Sequence, residues 1–546
     1  MQSTATGRGE GTAPCLVEKT RQRRSTSGLA SGTAIVLAGQ AAFVLCGYLL
    51  HFVMSRVMNP TAYGIYGVMM NILVWTESAL SNGVPWAVRK YLPEDPGNSH
   101  AILRAGLIWQ MVVGVVLYAG TLLIAPLFTD AIRDASLTFY VRLALTDIFW
   151  MALYTYYRGA LNGFRMFAAQ GAAMAAYAIG KLVFTLLLVR LGFSLGGALI
   201  GNVLGSIAGW LAGVALLRRR THRPRVAPRS GREPDGAGRP SALTTNGAQT
   251  GPQQENQSRT IQYNGRTILG FALPTVLFTL AGTLLTTVGL VGVKALVANG
   301  DAVGYYAAAN YLAAAPNLLL VAFSMTLFPH LAGSIAVRNW PLTSAYIQSA
   351  VRYLTLALLP GIALVLGASP RLMTIIYPRN YAVAAPLLNW LILSTALYSV
   401  YMVFANAILA EGRVFLALSI PGTLVPVSLV ATWYLTTRLG PQGAALAAVL
   451  STGLAAVAAA FYVVRRFGVR LDWRSLLRTA FAAAVLFGLT RLYLPSQALL
   501  LPYLALLGAV YVALLCLLGE LDMQALQRWA RRLWAALSRR TSGTRS

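Results

Sequence analysis

Runs of about 20 mostly apolar residues recur along nearly the whole chain, separated by short polar turns and by one long polar interval. At a rise of 1.5 Å per residue, a run of that length crosses ~30 Å of hydrocarbon as a helix. About fourteen such runs fall at 28–54, 62–83, 105–128, 138–160, 168–190, 196–217, 267–297, 302–328, 343–367, 382–409, 414–437, 442–464, 476–494 and 498–518. The pattern predicts an all-α polytopic membrane protein with about 14 transmembrane helices.

The polar turns carry a repeat. Asn59-Pro-Thr-Ala-Tyr-Gly64-Ile-Tyr66 returns as Asn299-Gly-Asp-Ala-Val-Gly304-Tyr-Tyr306, an offset of 240. Gly163-Phe-Arg165-Met-Phe167 returns as Glu411-Gly-Arg413-Val-Phe415, an offset of 248, and Arg190-Leu-Gly192 with Gly197 matches Arg438-Leu-Gly440 with Gly443. Three matches in one order mark two homologous halves of six helices each, followed by two appended helices. An even number of spans separates the copies, so the halves are parallel. They are related by a pseudo-two-fold along the membrane normal, with the cavity expected between them.

Domain boundaries follow. Residues 1–27 form a basic cytoplasmic tail, 28–217 the first lobe, 267–465 the second lobe and 476–518 the appended pair. The interval 218–266, rich in Arg, Pro, Gly, Ser, Gln and Asn, has too few large apolar side chains to offset its ordering entropy, and reads as a disordered cytoplasmic linker. In 522–540, Leu526, Trp529, Leu533, Trp534 and Leu537 share a helical face opposite Arg528, Arg531, Arg532 and Arg539, the pattern of an amphipathic helix lying in the interface.

Composition agrees: 57% of residues are hydrophobic and 11% charged, with mean hydropathy +0.61. The net charge of +28 would suit nucleic acid. Its distribution argues against that: with the N-terminus cytoplasmic, about 33 of the 44 Lys and Arg fall on the cytoplasmic side. This is the positive-inside rule for a multi-pass protein of the cytoplasmic (inner) membrane with both termini in the cytoplasm, plus attraction to anionic membrane lipids. Cys15, Cys46 and Cys516 form no motif, and the four histidines have no metal-ligand spacing. No nucleotide-binding loop and no catalytic carboxylate motif in an aqueous domain occurs, so neither an enzyme nor a metal or cofactor is expected.

An ionisable group within hydrocarbon costs roughly 2.5–3.5 kcal/mol on insertion scales, so such residues face the bundle interior or water. Asp147 and Lys181 lie at similar depth on antiparallel neighbours, either as an ion pair or with Lys181 presented to the cavity. Glu77 corresponds to Asn317 through the 240 offset. Tyr306, Asn310, Asn317 and Ser324 make a polar stripe that lines the cavity or bonds a neighbouring helix. Asp147, Trp150, Tyr154, Tyr157 and Arg158 form another stripe, suited to stacking sugar rings or to anchoring at the interface. Arg56 and Lys294, near helix ends, either snorkel or contribute cations to the cavity.

Ser31-Gly-Thr33, Ser55-Arg-Val-Met-Asn-Pro-Thr-Ala-Tyr-Gly64-Ile-Tyr66, Gly83-Val-Pro85 with Arg89-Lys-Tyr-Leu92, and Ala302-Val-Gly304-Tyr-Tyr306 with Phe328-Pro329-His330 carry a resemblance. Over roughly 28–465 the chain resembles the polysaccharide biosynthesis and oligosaccharide flippase family. That family belongs to the superfamily that also holds multidrug extruders and lipid II flippases. The resemblance implies two six-helix lobes in a V and alternating access. The substrate it implies is a polyprenyl-pyrophosphate-linked oligosaccharide, with Lys181 or Lys294 as a cation for the pyrophosphate. Lipid II flippases carry arginine in the first helix, and 28–54 has none.

The function expected is export of a lipid-linked oligosaccharide for cell-surface polysaccharide, driven by an ion gradient or membrane potential. Glu77 and Asp147 are the coupling candidates, and a polymerase and glycosyltransferases are the expected protein partners. The alternatives are a drug/cation antiporter of the same superfamily and a non-transporting scaffold for polysaccharide assembly.

Overall fold

The computed structural model describes residues 39–131, 134, 137–221, 265–470, 472–493, 495–496 and 499–521. The basic tail 1–27, linker residues 222–264 and the amphipathic segment 522–540 lie outside them. The described residues are helical, without strands. The helices are α1 (Gly39–Val57), α2 (Pro60–Asn82), α3 (Val84–Glu94), α4 (Ser99–Ala131), α5 (Thr138–Leu145), α6 (Asp147–Gly163), α7 (Phe167–Leu188) and α8 (Ser194–Thr221). After the linker come α9 (Gly265–Leu296), α10 (Gly300–Ala313), α11 (Asn317–Ala336), α12 (Trp340–Ile376), α13 (Ala385–Ala410), α14 (Val414–Leu439) and α15 (Pro441–Phe467), then the appended α16 (Trp473–Leu492) and α17 (Leu500–Leu517). Among the described residues nine helical stretches are long and apolar enough to span a membrane, one of them the joined pair α7–α8. The protein is a multi-pass membrane protein.

Two of the fourteen apolar runs are broken rather than continuous, and a third, 62–83, ends at a glycine from which a further short helix sets out. Gly83 separates α2 from α3, Thr146 separates α5 from α6, and the turn Ala314–Pro316 separates α10 from α11. Pro85 and Pro316 lack the N–H of an intrahelical bond and disfavour helix in the residue before them. The break at Ala314–Pro316 divides the expected stripe on helix eight: Tyr306 is buried, Asn317 starts a new helix in an exposed position, and Ser324 accepts from Asn406 at 2.9 Å. α8 also runs on through Arg218–Thr221, so the linker begins later than composition indicates; cations suit the carbonyl end of a helix.

The lobes form a V whose apex is the crossing of α2 and α10, and there the repeat meets itself. Thr61 Oγ1 donates to Asp301 Oδ1 at 2.7 Å. A Cβ added to Gly64 would lie 2.5 Å from the Gly304 nitrogen, and one added to Gly67 would lie 2.9 Å from the Ala307 Cβ. Each pair is separated by the repeat offset of 240, so the pseudo-two-fold axis passes through this seam. Small residues at three-residue intervals let the backbones approach. From the seam, α2 runs beside α9, with Trp75 Nε1 donating to Thr287 Oγ1 at 2.7 Å.

The second repeat register shifts by one residue. The amides of Phe164, Arg165, Met166 and Gln170 donate to the carbonyls of Ala160, Asn162, Leu161 and Met166. The amides of Glu411, Gly412, Arg413 and Ala417 repeat the same bonds to Ala407, Leu409, Ile408 and Arg413. The structural offset is therefore 247, not the 248 of the sequence match. Arg165 (φ 57°) stands where the second lobe has Gly412 (φ 81°), and side-chain likeness had aligned Arg165 with Arg413 instead.

Candidate functional site

The first lobe assembles its site on a ladder of glycines. Gly197, Gly201, Gly205, Gly209 and Gly213 recur every four residues along one face of α8, and α7 packs against that face. A Cβ on Gly205 would lie 2.7 Å from the Lys181 Cβ and 2.8 Å from its Cα, and one on Gly209 would lie 2.7 Å from the Tyr154 ring. Glycine at these positions sets the depth of Lys181 and Tyr154. Tyr154 and Tyr177 stack at 4.9 Å between centroids, and the Arg158 guanidinium lies 5.4 Å from the Tyr154 centroid.

A cavity of about 350 Å³ opens beside these aromatics, lined by Gln40, Glu77, Ser78, Asn82 and Arg158 among others. Phe43 also lines a smaller cavity of about 60 Å³ that contains His51, Tyr177 and Lys181. All lining residues of both cavities come from α1, α2, α6 and α7, within the first lobe. Glu77 is within electrostatic range of Lys181, Arg158 and Asp147, and Asp147 is within range of Lys181.

Asp147 and Lys181 form no ion pair among the described residues. Asp147 is buried at the first position of α6, where unpaired amides favour a carboxylate, and accepts from Asn202 Nδ2 at 2.7 Å. Lys181 Nζ faces the Met70 sulfur at 3.9 Å. Asn202 was not among the sequence candidates. Its signal is a lone amide inside the glycine ladder.

The second lobe holds neutral residues at the equivalent places. Ser394 stands for Asp147 and bonds Thr452, the equivalent of Ser206, at 3.2 Å. Ala405 stands for Arg158, Ser428 for Lys181 and Asn317 for Glu77; only Tyr154 is matched by another tyrosine, Tyr401. A hydroxyl pair thus suffices to join these helices in the second lobe.

The remaining candidates lie elsewhere. Lys294 pairs with Asp134 at 2.9 Å, linking the end of α9 to the loop after α4. Arg56 lies 3.6 Å over the Phe52 ring and donates to the carbonyls of Ile375 and Ile376 at the end of α12. Both therefore join the two lobes at the apex. Tyr306 is buried near that apex, and Asn310 is half-buried on α10, away from the first-lobe cavity.

A family model described as polysaccharide biosynthesis protein matches residues 29–334, more than half of the chain. The chain belongs to this family. No curated protein sequence is significantly similar to it. Among solved structures, a lipid II flippase MurJ in an inward closed conformation aligns with a TM-score of 0.65 at 12% identity, covering 87% of this chain and 97% of that one. An inward-facing multidrug resistance MATE family transporter aligns at 0.62 and 14%, covering 77% and 94%. A transporter of the same MOP superfamily from Pyrococcus furiosus, described as having a binding pocket of reversed polarity, aligns at 0.57 and 15%, covering 81% and 95%. At these identities the likeness shows the fold alone: the all-helical architecture of these three structures.

Proposed function

We propose that this family member is a flippase that turns a polyprenyl-pyrophosphate-linked oligosaccharide across the cytoplasmic membrane. The observation that carries the proposal is one-sided: Glu77, Arg158, Gln40 and Asn82 line one first-lobe cavity and Lys181 and Tyr177 line the smaller one, while the equivalent second-lobe positions are neutral. Arg158 and Lys181 supply point charges for the pyrophosphate, Gln40, Ser78 and Asn82 supply partners for sugar hydroxyls, and the prenyl tail remains in lipid. Both termini face the cytoplasm, so the α2–α10 apex faces outward and the cavity mouth at Asn82 and Arg158 faces inward. The lobes then rock about the apex, with Glu77 and Asp147 coupling the motion to an ion gradient or membrane potential. A polymerase and glycosyltransferases acting on the same glycan are the partners this reading calls for.

The test is flipping of a fluorescent polyprenyl-pyrophosphate oligosaccharide in proteoliposomes. Wild type flips it, and Lys181→Ala and Arg158→Ala each slow flipping at least about tenfold, the loss of one charge-assisted contact of ~1.5–3 kcal/mol. Folded, inserted wild type that extrudes an organic cation and flips no glycan would replace this reading with the antiporter.

A further inference from the structure

A second built site lies in the other lobe, away from the first-lobe cavity. α12 presents Trp340, Ser344, Gln348 and Arg352 at four-residue intervals to a groove closed by the start of α16 and the chain after α15. Two cavities, about 130 and about 400 Å³, run along it and share Gln348. Asp472 and Ser475 line the inner one, and Phe467 and Arg470 the outer one.

The groove sits where headgroups lie. Trp473, Leu477 and Phe481 recur every four residues along α16 and are 67%, 69% and 58% exposed. That is a lipid-facing stripe with its aromatic belt residue at the top. Asp472 and Ser475 flank Trp473, so the inner cavity is level with the polar edge of the bilayer.

The charge balance is positive. The Glu520 side chain is only 2% exposed and is held by Arg352 Nε at 2.7 Å and by the Ser475 hydroxyl at 2.5 Å, with Arg478 at 3.8 Å. Asp472 Oδ1 accepts the Arg474 and Ser475 amides at the start of α16. Around these two engaged carboxylates, Arg352 and Arg478 remain 42% and 45% exposed, and Arg470 is exposed beside the outer cavity.

We propose that this groove binds the headgroup of an anionic phospholipid that carries free hydroxyls, of the phosphatidylglycerol kind. Its phosphodiester lies among Arg352, Arg470 and Arg478, its hydroxyls turn toward Gln348 and Asp472, and its acyl chains follow Leu477 and Phe481. Bound there, the lipid ties α12 to the α15–α16 connection and to the appended pair. Zwitterionic lipid lacks the net charge that the three arginines select.

Native mass spectrometry of the full chain with equimolar phosphatidylglycerol and phosphatidylcholine of identical chains tests this. Wild type retains one phosphatidylglycerol with a preference of about thirtyfold or more, the share carried by two surface arginines. The double variant Arg470→Gln/Arg478→Gln reduces the preference at least about tenfold, since those charges carry it. Gln348→Trp, which fills the groove without changing charge, abolishes retention; circular dichroism verifies that both variants fold. Equal retention of the two lipids by wild type, or a preference unchanged in both folded variants, overturns the proposal. Displacement of the lipid by millimolar inorganic phosphate also overturns it, because the groove would then be a site for free phosphate. None of these readouts depends on glycan flipping.

Discussion

Parting the α2–α10 seam by one methyl group should shift the protein toward the conformer open at that end. The three glycines grade the perturbation. Gly67→Ala places its Cβ 2.9 Å from the Ala307 side chain, and Gly64→Ala places it 2.5 Å from the Gly304 backbone nitrogen and 2.9 Å from the Val303 Cβ. Gly304→Ala meets the Pro60 carbonyl oxygen closer still, with the Pro60 Cα at 3.0 Å, and backbone on both sides cannot yield by a rotamer change. Overpacking costs about 1–3 kcal/mol, and separation also strains the Thr61–Asp301 hydrogen bond, worth ~1.5–3 kcal/mol because one partner is charged. The closed-to-open ratio should therefore fall about 10- to 100-fold in Gly304→Ala. Val303, only 1% exposed at the seam, is the reporter: in a cysteine-free background, Val303→Cys should label with a membrane-impermeant thiol reagent faster in the order Gly67→Ala, Gly64→Ala, Gly304→Ala. Equal rates across the series, or the reverse order, in protein of unchanged helicity would refute the claim that this crossing closes the apex.

Four further outcomes follow from the packing. Gly205→Ala must displace the α7 backbone at Lys181, so it should reduce flipping at least about tenfold with folding retained, which calorimetry and the proteoliposome assay separate. Asp147→Ser copies the Ser394–Thr452 arrangement and should leave thermal stability within about 1 kcal/mol while abolishing the dependence of transport on an ion gradient, measured with and without ionophore. Glu520→Gln strips the counter-charge from Arg352 and Arg478; a cost of about 1–3 kcal/mol, reduced from the ~3–5 of a fully buried pair by the exposure of the arginines, should appear as a lower unfolding temperature. Arg165→Gly relieves a left-handed residue where the second lobe already uses glycine, and should raise stability by up to about 1 kcal/mol.

Helix number and lobe pairing were legible because run length and polar turns report directly on the bilayer. The breaks were not. A hydropathy run stays apolar across Thr146 and Ala314–Pro316, and no special residue marks the break at Thr146. Register within the second repeat was misread by one because arginine was aligned with arginine, whereas backbone geometry equates Arg165 with Gly412. Glu77, Asp147, Lys181 and Tyr154 were visible as polar or aromatic residues in apolar helices, and they do gather in one lobe. Asn202 as the partner of Asp147, and the positions of Arg56 and Lys294 at the apex, depend on which helices become neighbours, and one-dimensional spacing does not fix that.

The contact between Thr61 and Asp301 also bears on how a single chain came to hold both lobes. In a dimer of identical half-size subunits, a residue on the rotation axis touches its own copy, and one codon writes both partners. Two threonines there hydrogen-bond to each other; two aspartates at the same separation of 2.7 Å repel. A threonine facing an aspartate requires two codons free to diverge, which duplication of the half-length coding sequence supplies and which this single chain holds at residues 61 and 301. Duplicating the first half of this protein as a separate subunit would keep a neutral apex, and duplicating the second half would load its apex with paired carboxylates.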